Sequence, residues 1–365
     1  MLALLQTAVL VPPLIPEIAD LMRQCFFWVE AKGHYRPWRE IMESVVAQLP
    51  PEDKLEFYLL KQLGQLYRLE QNYEAACGTL EKARFLAEKQ QDQQFVAEIV
   101  VNQAHVYWQQ NDMQNASLSA KDALNLLAGQ QNRTAGVAHQ IIAEAARVAG
   151  EFETAVQHLH QAQDIFQHSP NPTDLTRIMN SLAVTYQQMG AYETALTIFP
   201  QILKKLANSV YERDRIEASL NWGHLLYEME QFQNAQKIFS EVIQHIHHQD
   251  GYKSFQAMAH NSLACTLREL GYFSQAEAHF DQSRILYEAL PDHRLLANTL
   301  GGLAMLYERQ GLWEKTAVFL AKAIQLLDRI TNDPWSANLK KTYQTKQQEI
   351  ENGNLHKSTR SLNIS

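Results

Sequence analysis

The sequence predicts an all-α solenoid of about eight helical hairpins followed by a C-terminal capping helix. Three observations predict it. The chain has 365 residues but only 14 glycines and 11 prolines, a composition that favours helix over strands and turns. Hydrophobic residues make up 46%, enough to supply a continuous core along stacked units. One pattern also recurs about every 40 residues, and a period in that range marks a repeat architecture. In it an apolar run ends in an aromatic or Leu, a short gap follows, then a turn residue, an aromatic and a small residue. LGQLYRLEQNYEAA (63–76), LAVTYQQMGAYETA (182–195), LACTLRELGYFSQA (263–276) and LAMLYERQGLWEKT (303–316) are copies of it.

Residues 1–16 form an apolar N-terminal segment. It lacks a basic leading stretch and is broken by Pro12, Pro13 and Pro16, so it reads as a short helix covering the first repeat rather than a signal peptide. Residues 17–332 hold the repeats. Their turn residues are Gln71, Asn111, Gly150, Gly190, Glu230, Gly271 and Gly311, with a weaker first unit turning at Gly33. Each unit reads as an antiparallel pair of helices, A then B, each of about 17 residues or roughly 26 Å. Small residues recur in helix A (Gly64, Ala104, Ala143, Ala183, Gly223, Ala264, Ala304) and early in helix B (Ala76, Ala116, Ala155, Ala195, Ala235, Ala276, with Thr316 departing). Large residues fill the facing slots: Tyr67, Tyr107, Tyr186 and Tyr307 in helix A, and Leu80, Leu159, Phe199, Phe239, Phe280 and Leu320 in helix B. Small against large at fixed helical offsets lets two helices interlock without voids. Trp38 breaks the pattern in the first unit, and its bulk should splay that hairpin or mark it as an end cap. Residues 333–352 carry Pro334 near their start and continue in good helix formers, which predicts a capping helix. The polar residues 353–365 read as a disordered tail.

These slots resemble the tetratricopeptide-repeat (TPR) pattern over residues 17–332. The long period looks like the extended repeats of kinesin light chain, LGN-type scaffolds and the sensor arms of signal-transduction ATPases. The resemblance implies a right-handed superhelix whose A helices line a concave face. Projected onto it, that face carries Arg23 and Phe27 in the first unit, then Tyr58, Lys61, Gln65 and Arg68. Val101, Asn102, His105 and Trp108 follow from the third unit, and Gln140, Glu144 and Arg147 from the fourth. Arg177, Asn180 and Gln187 follow from the fifth, and Leu220, Asn221, His224 and Tyr227 from the sixth. Asn261, Cys265 and Arg268 come from the seventh, and Asn298, Met305 and Arg309 from the eighth.

Mid-helix asparagine is unfavourable by several tenths of a kcal/mol relative to alanine. Its recurrence at Asn102, Asn180, Asn221 and Asn261 therefore suggests a use. Asn carries a donor and an acceptor, which suits gripping a peptide backbone; bridging neighbouring A helices is the alternative. The NSLA runs at 180–183 and 261–264 look like the Asn-bearing helix A of kinesin light chain. The partner-binding set expected from this resemblance is Lys61, Arg68, Asn102, Trp108, Arg147, Arg177, Asn180, Asn221, His224, Tyr227, Asn261 and Arg268. Lys61, Gln65 and Asn102 also sit in three slots of the family's carboxylate clamp, but Val137 and Ile141 fall on its two further basic slots. Chaperone-tail recognition is therefore not expected.

No phosphate loop, dinucleotide turn, HExxH pair or GxSxG elbow is present, so no catalytic residue and no cofactor is assigned. The 14 histidines raise the question of metal. His245, His247 and His248 fall at a helix end, and His158 and His160 diverge on a helix, so none reads as a ligand set. A net charge of −8 argues against nucleic-acid binding, and no run is long enough to span a bilayer. Three separated cysteines, Cys25, Cys77 and Cys265, fit a reducing compartment such as the cytoplasm. The expected partner is another protein or a peptide. A second reading, a sensory or regulatory arm, rests on FFWVEAKGHYRPWREIMESVVAQL (26–49), which is similar to the first repeat in the arms of signal-transduction ATPases and related transcription regulators.

Overall fold

A computed structural model describes residues 2–32, 35–50, 54–207, 211–247, 249–290, 293–330 and 333–353. The expected Gly33 turn, the Phe27 side chain, His248 and residues 354–365 of the expected tail lie outside the described residues. Helices are the regular elements throughout. The chain divides into two compact units, Met1–Gly190 and Ala191–Ser365.

The first unit begins with α1 (Leu2–Ala8) and continues with four helix pairs. They are α2 (Ile15–Lys32) with α3 (Tyr35–Val46), α4 (Lys54–Leu69) with α5 (Tyr73–Lys89), α6 (Gln93–Gln109) with α7 (Met113–Leu127), and α8 (Arg133–Val148) with α9 (Phe152–Phe166). It ends on α10 (Pro172–Gln188). The second unit opens with α11 (Tyr192–Leu206). Three pairs follow: α12 (Glu212–Glu228) with α13 (Phe232–Ile246), α14 (Lys253–Glu269) with α15 (Phe273–Glu288), and α16 (His293–Arg309) with α17 (Trp313–Leu327). A terminal helix, α18 (Pro334–Glu351), completes it. Seven of the expected hairpins thus lie whole within a unit. The two helices of the fifth fall on either side of the boundary at Gly190.

The turns explain the register. All seven turn residues read from the sequence are left-handed: Gln71 at φ 61°, Asn111 at 62°, Glu230 at 58°, and Gly150, Gly190, Gly271 and Gly311 between 71° and 81°. Six of these turns tighten the helix end in the same way. The amide of the residue after the turn residue reaches back to a carbonyl in the last turn of the helix, as in Asn72 N–H to Tyr67 O at 2.9 Å and Gln231 N–H to Leu226 O at 2.8 Å, a Schellman closure. In the first unit Asn72, Asp92, Asp112 and Asn132 then cap the next helix, each accepting from a first-turn amide, worth ~1 kcal/mol apiece.

Packing follows the small-against-large rule. The helix A alanines and the small helix B residues, Thr316 included, are buried at 1% exposure or less. A Cβ added at Gly64 would come within 2.6 Å of Leu80, and one at Gly223 within 2.5 Å of Phe239. Three aromatics depart from the expected assignment. Tyr67, Tyr107 and Tyr186 are only half-buried, because a phenol hydroxyl keeps a polar partner: Tyr67 donates to Glu43 at 2.5 Å and Tyr186 lies 3.5 Å from His160. Tyr307 is buried and donates to Glu277 at 2.6 Å. Trp38, at 1% exposure, joins one core with Leu5, Val9, Met22 and Met42. The N-terminal segment covers this core, and Gln48 pins it by donating to the Val9 carbonyl at 3.2 Å.

Candidate functional site

The side chains expected on the A-helix face differ in how far they are exposed, and several are engaged within the protein. In the first unit, Lys61 pairs with Glu98 one repeat on at 2.6 Å and stands over the Phe95 ring. Gln65 donates to Asn102 Oδ1 at 2.9 Å, and Asn102 Nδ2 donates to the Glu98 carbonyl at 2.8 Å. Asn102 is buried at 9% exposure, so the bridging alternative holds there. Val101 is buried too, at 6%, and is removed from the face. Ser181 donates to Glu144 at 2.8 Å, and Glu144 accepts from Arg147, which also reaches Gln188 at 3.0 Å. The Lys61–Glu98, Gln65–Asn102, Ser181–Glu144 and Arg147–Gln188 contacts each tie one A helix to the next along the row.

Around them sit the accessible groups. Trp108 is 37% exposed, with its ring edge-on to His105. Arg177 is exposed, and Arg68 and Asn180 are half-exposed. His105 is held neutral, its pKa pushed down to about 3 by burial and then by the positive charges of Arg68, Arg177 and Arg133. Its Nδ1 is buried without a hydrogen-bond partner. The face is therefore electropositive there, although the chain as a whole carries −8.

The second unit repeats this division. His224 Nε2 shares a hydrogen bond with Ser262 Oγ at 2.7 Å, and burial lowers its pKa to about 4. Arg268, 9% exposed, donates twice to Glu269 and once to the Tyr227 hydroxyl, at 2.8, 3.0 and 3.4 Å. Arg309 reaches the other Glu269 oxygen at 2.8 Å. Asn221 and Asn261 are half-exposed, and Asn261 Oδ1 is buried without a partner. Leu220, expected on the face, is 1% exposed and belongs to the core.

Sequence reasoning placed Glu144 on the face but missed the acidic partners Glu98 and Glu269, which cannot be placed without knowing which A helices adjoin. It also missed two histidine pairs. His158 diverges from His160 as expected, but its Nδ1 meets His139 Nδ1 across the hairpin at 2.9 Å; His260 and His279 meet identically at 2.9 Å. Both pairs are 19 residues apart, and that shared spacing was the available signal. Among the described residues no group of three or more His, Cys, Asp or Glu side chains could hold a metal. No described helix is long and apolar enough to cross a membrane.

Two family models match the sequence: soluble NSF attachment protein over residues 52–214 and tetratricopeptide repeat over residues 255–329. The second model and the left-handed turns with their interlocked hairpins agree. The chain folds as a tetratricopeptide-repeat protein. Among curated proteins none matches the sequence. Solved structures share the tetratricopeptide fold at low identity. A signal transduction ATPase with a tetratricopeptide sensor from Pyrococcus horikoshii is 14% identical with a TM-score of 0.65. That match covers 91% of this chain and only 50% of that protein. A Rap protein complexed with Competence and Sporulation Factor is 13% identical with a TM-score of 0.59, covering 93% of this chain and 99% of that one. BtubC from P. vanneervenii is 19% identical with a TM-score of 0.51, over 62% of this chain and 94% of that one.

Proposed function

We propose that this tetratricopeptide array is a non-catalytic cytoplasmic scaffold or adaptor that holds a peptide or helix of another protein against its A-helix faces. The observation that carries the reading is the exposed indole of Trp108 on the A-helix face, edge-on to His105, whose surroundings include the charge of Arg68. Trp and Arg are the side chains that most often anchor an interface. The remaining candidates, Asn180, Asn221 and Asn261 among them, supply amides suited to a peptide backbone. Support also comes from proteins of the same fold seen in complexes: the Rap protein with its factor and the hetero-tetramer Cut9-Hcn1. Free, unpaired cysteines support a reducing compartment.

A peptide selected against the intact chain provides the test. Trp108→Ala, and separately the joint change of Asn180, Asn221 and Asn261 to Ala, should each weaken its binding at least about ten-fold (about 1.4 kcal/mol) with the helical circular dichroism unchanged. Unchanged affinity in both variants sinks the reading. A second reading, a sensory or regulatory arm, draws support from the tetratricopeptide sensor of the signal transduction ATPase, which this chain matches over 91% of its length. Under that reading an added nucleotide-binding module should change its activity when the A-helix face is occupied.

A further inference from the structure

The two histidine pairs are all-or-none features of their repeats. In the units after the first, the helix A slot held by His139 and His260 otherwise carries Leu60, Val100, Met179, Ser219 and Leu300. The facing helix B slot, held by His158 and His279, otherwise carries Thr79, Ser119, Ile198, Ile238 and Phe319. A repeat has both histidines or neither. Apolar side chains serve these slots elsewhere, and a hydrogen bond between two neutral rings contributes only about 1 kcal/mol net. Packing alone therefore does not account for two imidazoles appearing together twice.

The geometry is the same in both hairpins. Between α8 and α9, His139 Nδ1 lies 2.9 Å from His158 Nδ1, with ring centres 5.2 Å apart and planes inclined at 32°. Between α14 and α15, His260 Nδ1 lies 2.9 Å from His279 Nδ1, with ring centres 5.1 Å apart and planes inclined at 31°. All four rings are half-buried, so an ion and its water can reach them. Two imidazoles on one tetrahedral zinc ion, each at about 2.05 Å, have nitrogens about 3.3 Å apart and ring centres about 5.2 Å apart. The ring centres already stand at that separation. The nitrogens reach theirs if each ring turns by about 35° about its centre, which the broad terminal torsion of histidine allows.

We propose that each pair is a bis-imidazole zinc site whose tetrahedral shell is completed by water. Without the ion, one Nδ1–H donates to the facing Nδ1. On loading, that proton moves from Nδ1 to Nε2 of the same ring. Both Nδ1 lone pairs then face the ion, and no proton is released overall. Burial keeps the rings neutral at pH 7, with His139 and His260 lowered to about 4. Imidazole suits zinc, whereas magnesium and calcium take oxygen ligands. The two sites differ in charge. Lys121 acts on His158 and opposes a dication there, whereas burial and the facing ring account for the lowering at His260 and burial for that at His279. The His260–His279 site is therefore the tighter.

Titration calorimetry of the intact chain with ZnCl2, and with MgCl2 as the control ion, tests this. Zinc should bind and magnesium should not. His260→Leu, His279→Ile and the two together use side chains found at these slots in other repeats. Each should weaken the tighter event by about ten-fold or more, and the double variant should lose no more than either single one, because one ring cannot chelate. Long-range proton–nitrogen spectra of the histidine rings should show Nδ1 of His260 and His279 shifting on zinc addition, which a purely structural pair would not do. Lys121→Gln should tighten the His139–His158 site, a gain that misfolding cannot produce, and the gain should shrink in high salt. Absence of zinc binding overturns the proposal. So does zinc binding that survives the double variant, falls by half with each single change, or engages Nε2 instead of Nδ1.

Discussion

Glu230 holds a left-handed backbone at φ 58°, where a β-carbon crowds the following carbonyl at a cost of about 1–2 kcal/mol. Four of the seven equivalent turns carry glycine. Glu230→Gly should therefore stabilise the protein, by about 1 kcal/mol, and raise the urea midpoint. Gly223 has the opposite constraint. A methyl there would press into the Phe239 ring at 2.5 Å, and ring and helix backbone can yield little. Gly223→Ala should cost about 1–3 kcal/mol, read as a lower midpoint. If both variants shift it in the same direction, the turn and packing assignments cannot both stand.

At the scale of elements, α18 is anchored by its one buried aromatic, with Leu339 and Ile350 packed against the same core. Tyr343 is 1% exposed, and its hydroxyl fills the space a β-carbon at Gly301 would need. Truncating a buried aromatic removes both its transfer energy and its contacts, costing about 3–5 kcal/mol. Tyr343→Ala should release α18, seen as faster amide exchange over α18 and the facing part of α16, with α12 and α13 unaffected. The histidine pairs act between the helices of one hairpin. His139 and His260 occupy the same slot of helix A, filled elsewhere by Leu60, Val100 and Leu300, and His158 and His279 the same slot of helix B. In both pairs the ring centres lie 5.1–5.2 Å apart with Nδ1 facing Nδ1 at 2.9 Å. One imidazole must donate and the other accept, so the pair requires at least one neutral ring.

Across the whole molecule the buried histidines set the pH response. Burial pushes the pKa of His105 down to about 3 and those of His139, His224 and His260 to about 4, with His158 and His279 also lowered. Burial is the first cause in each. His158 facing His139, His279 facing His260, and Lys121 near His158 add to it. An unfolded histidine takes its proton near pH 6.5, before the folded one does. Stability is then fully present above about pH 6.5 and declines as pH falls toward 4. The urea midpoint should be level from pH 7 to 8 and fall at pH 5. Changing His260 to Leu, the residue at the same helix A slot in two other units, and His279 to Ile, as at Ile198 and Ile238, should flatten that slope; an unchanged slope would remove the pair from the explanation.

The sequence by itself determined the repeat, its turns and its interlocking slots, because these are local. A left-handed residue such as Gly271, a small Ala264 seven places before it and a large Phe280 nine places beyond it are constraints within one hairpin, and they recur. The sequence could not say which side chains of adjacent A helices meet. Asn102 was a candidate for gripping a peptide until its neighbours Gln65 and Glu98 proved to occupy both ends of its amide. Arg268 was similarly engaged by Glu269 and Tyr227. Leu220 and Val101 turned inward because a helix buried on two sides has a wider apolar arc than the pattern assumed. Those outcomes depend on the stacking of one repeat on the next, where distances are set by packing across about 40 residues of chain. Tertiary structure alone decided them, and with them which parts of the A-helix face remain accessible to a partner.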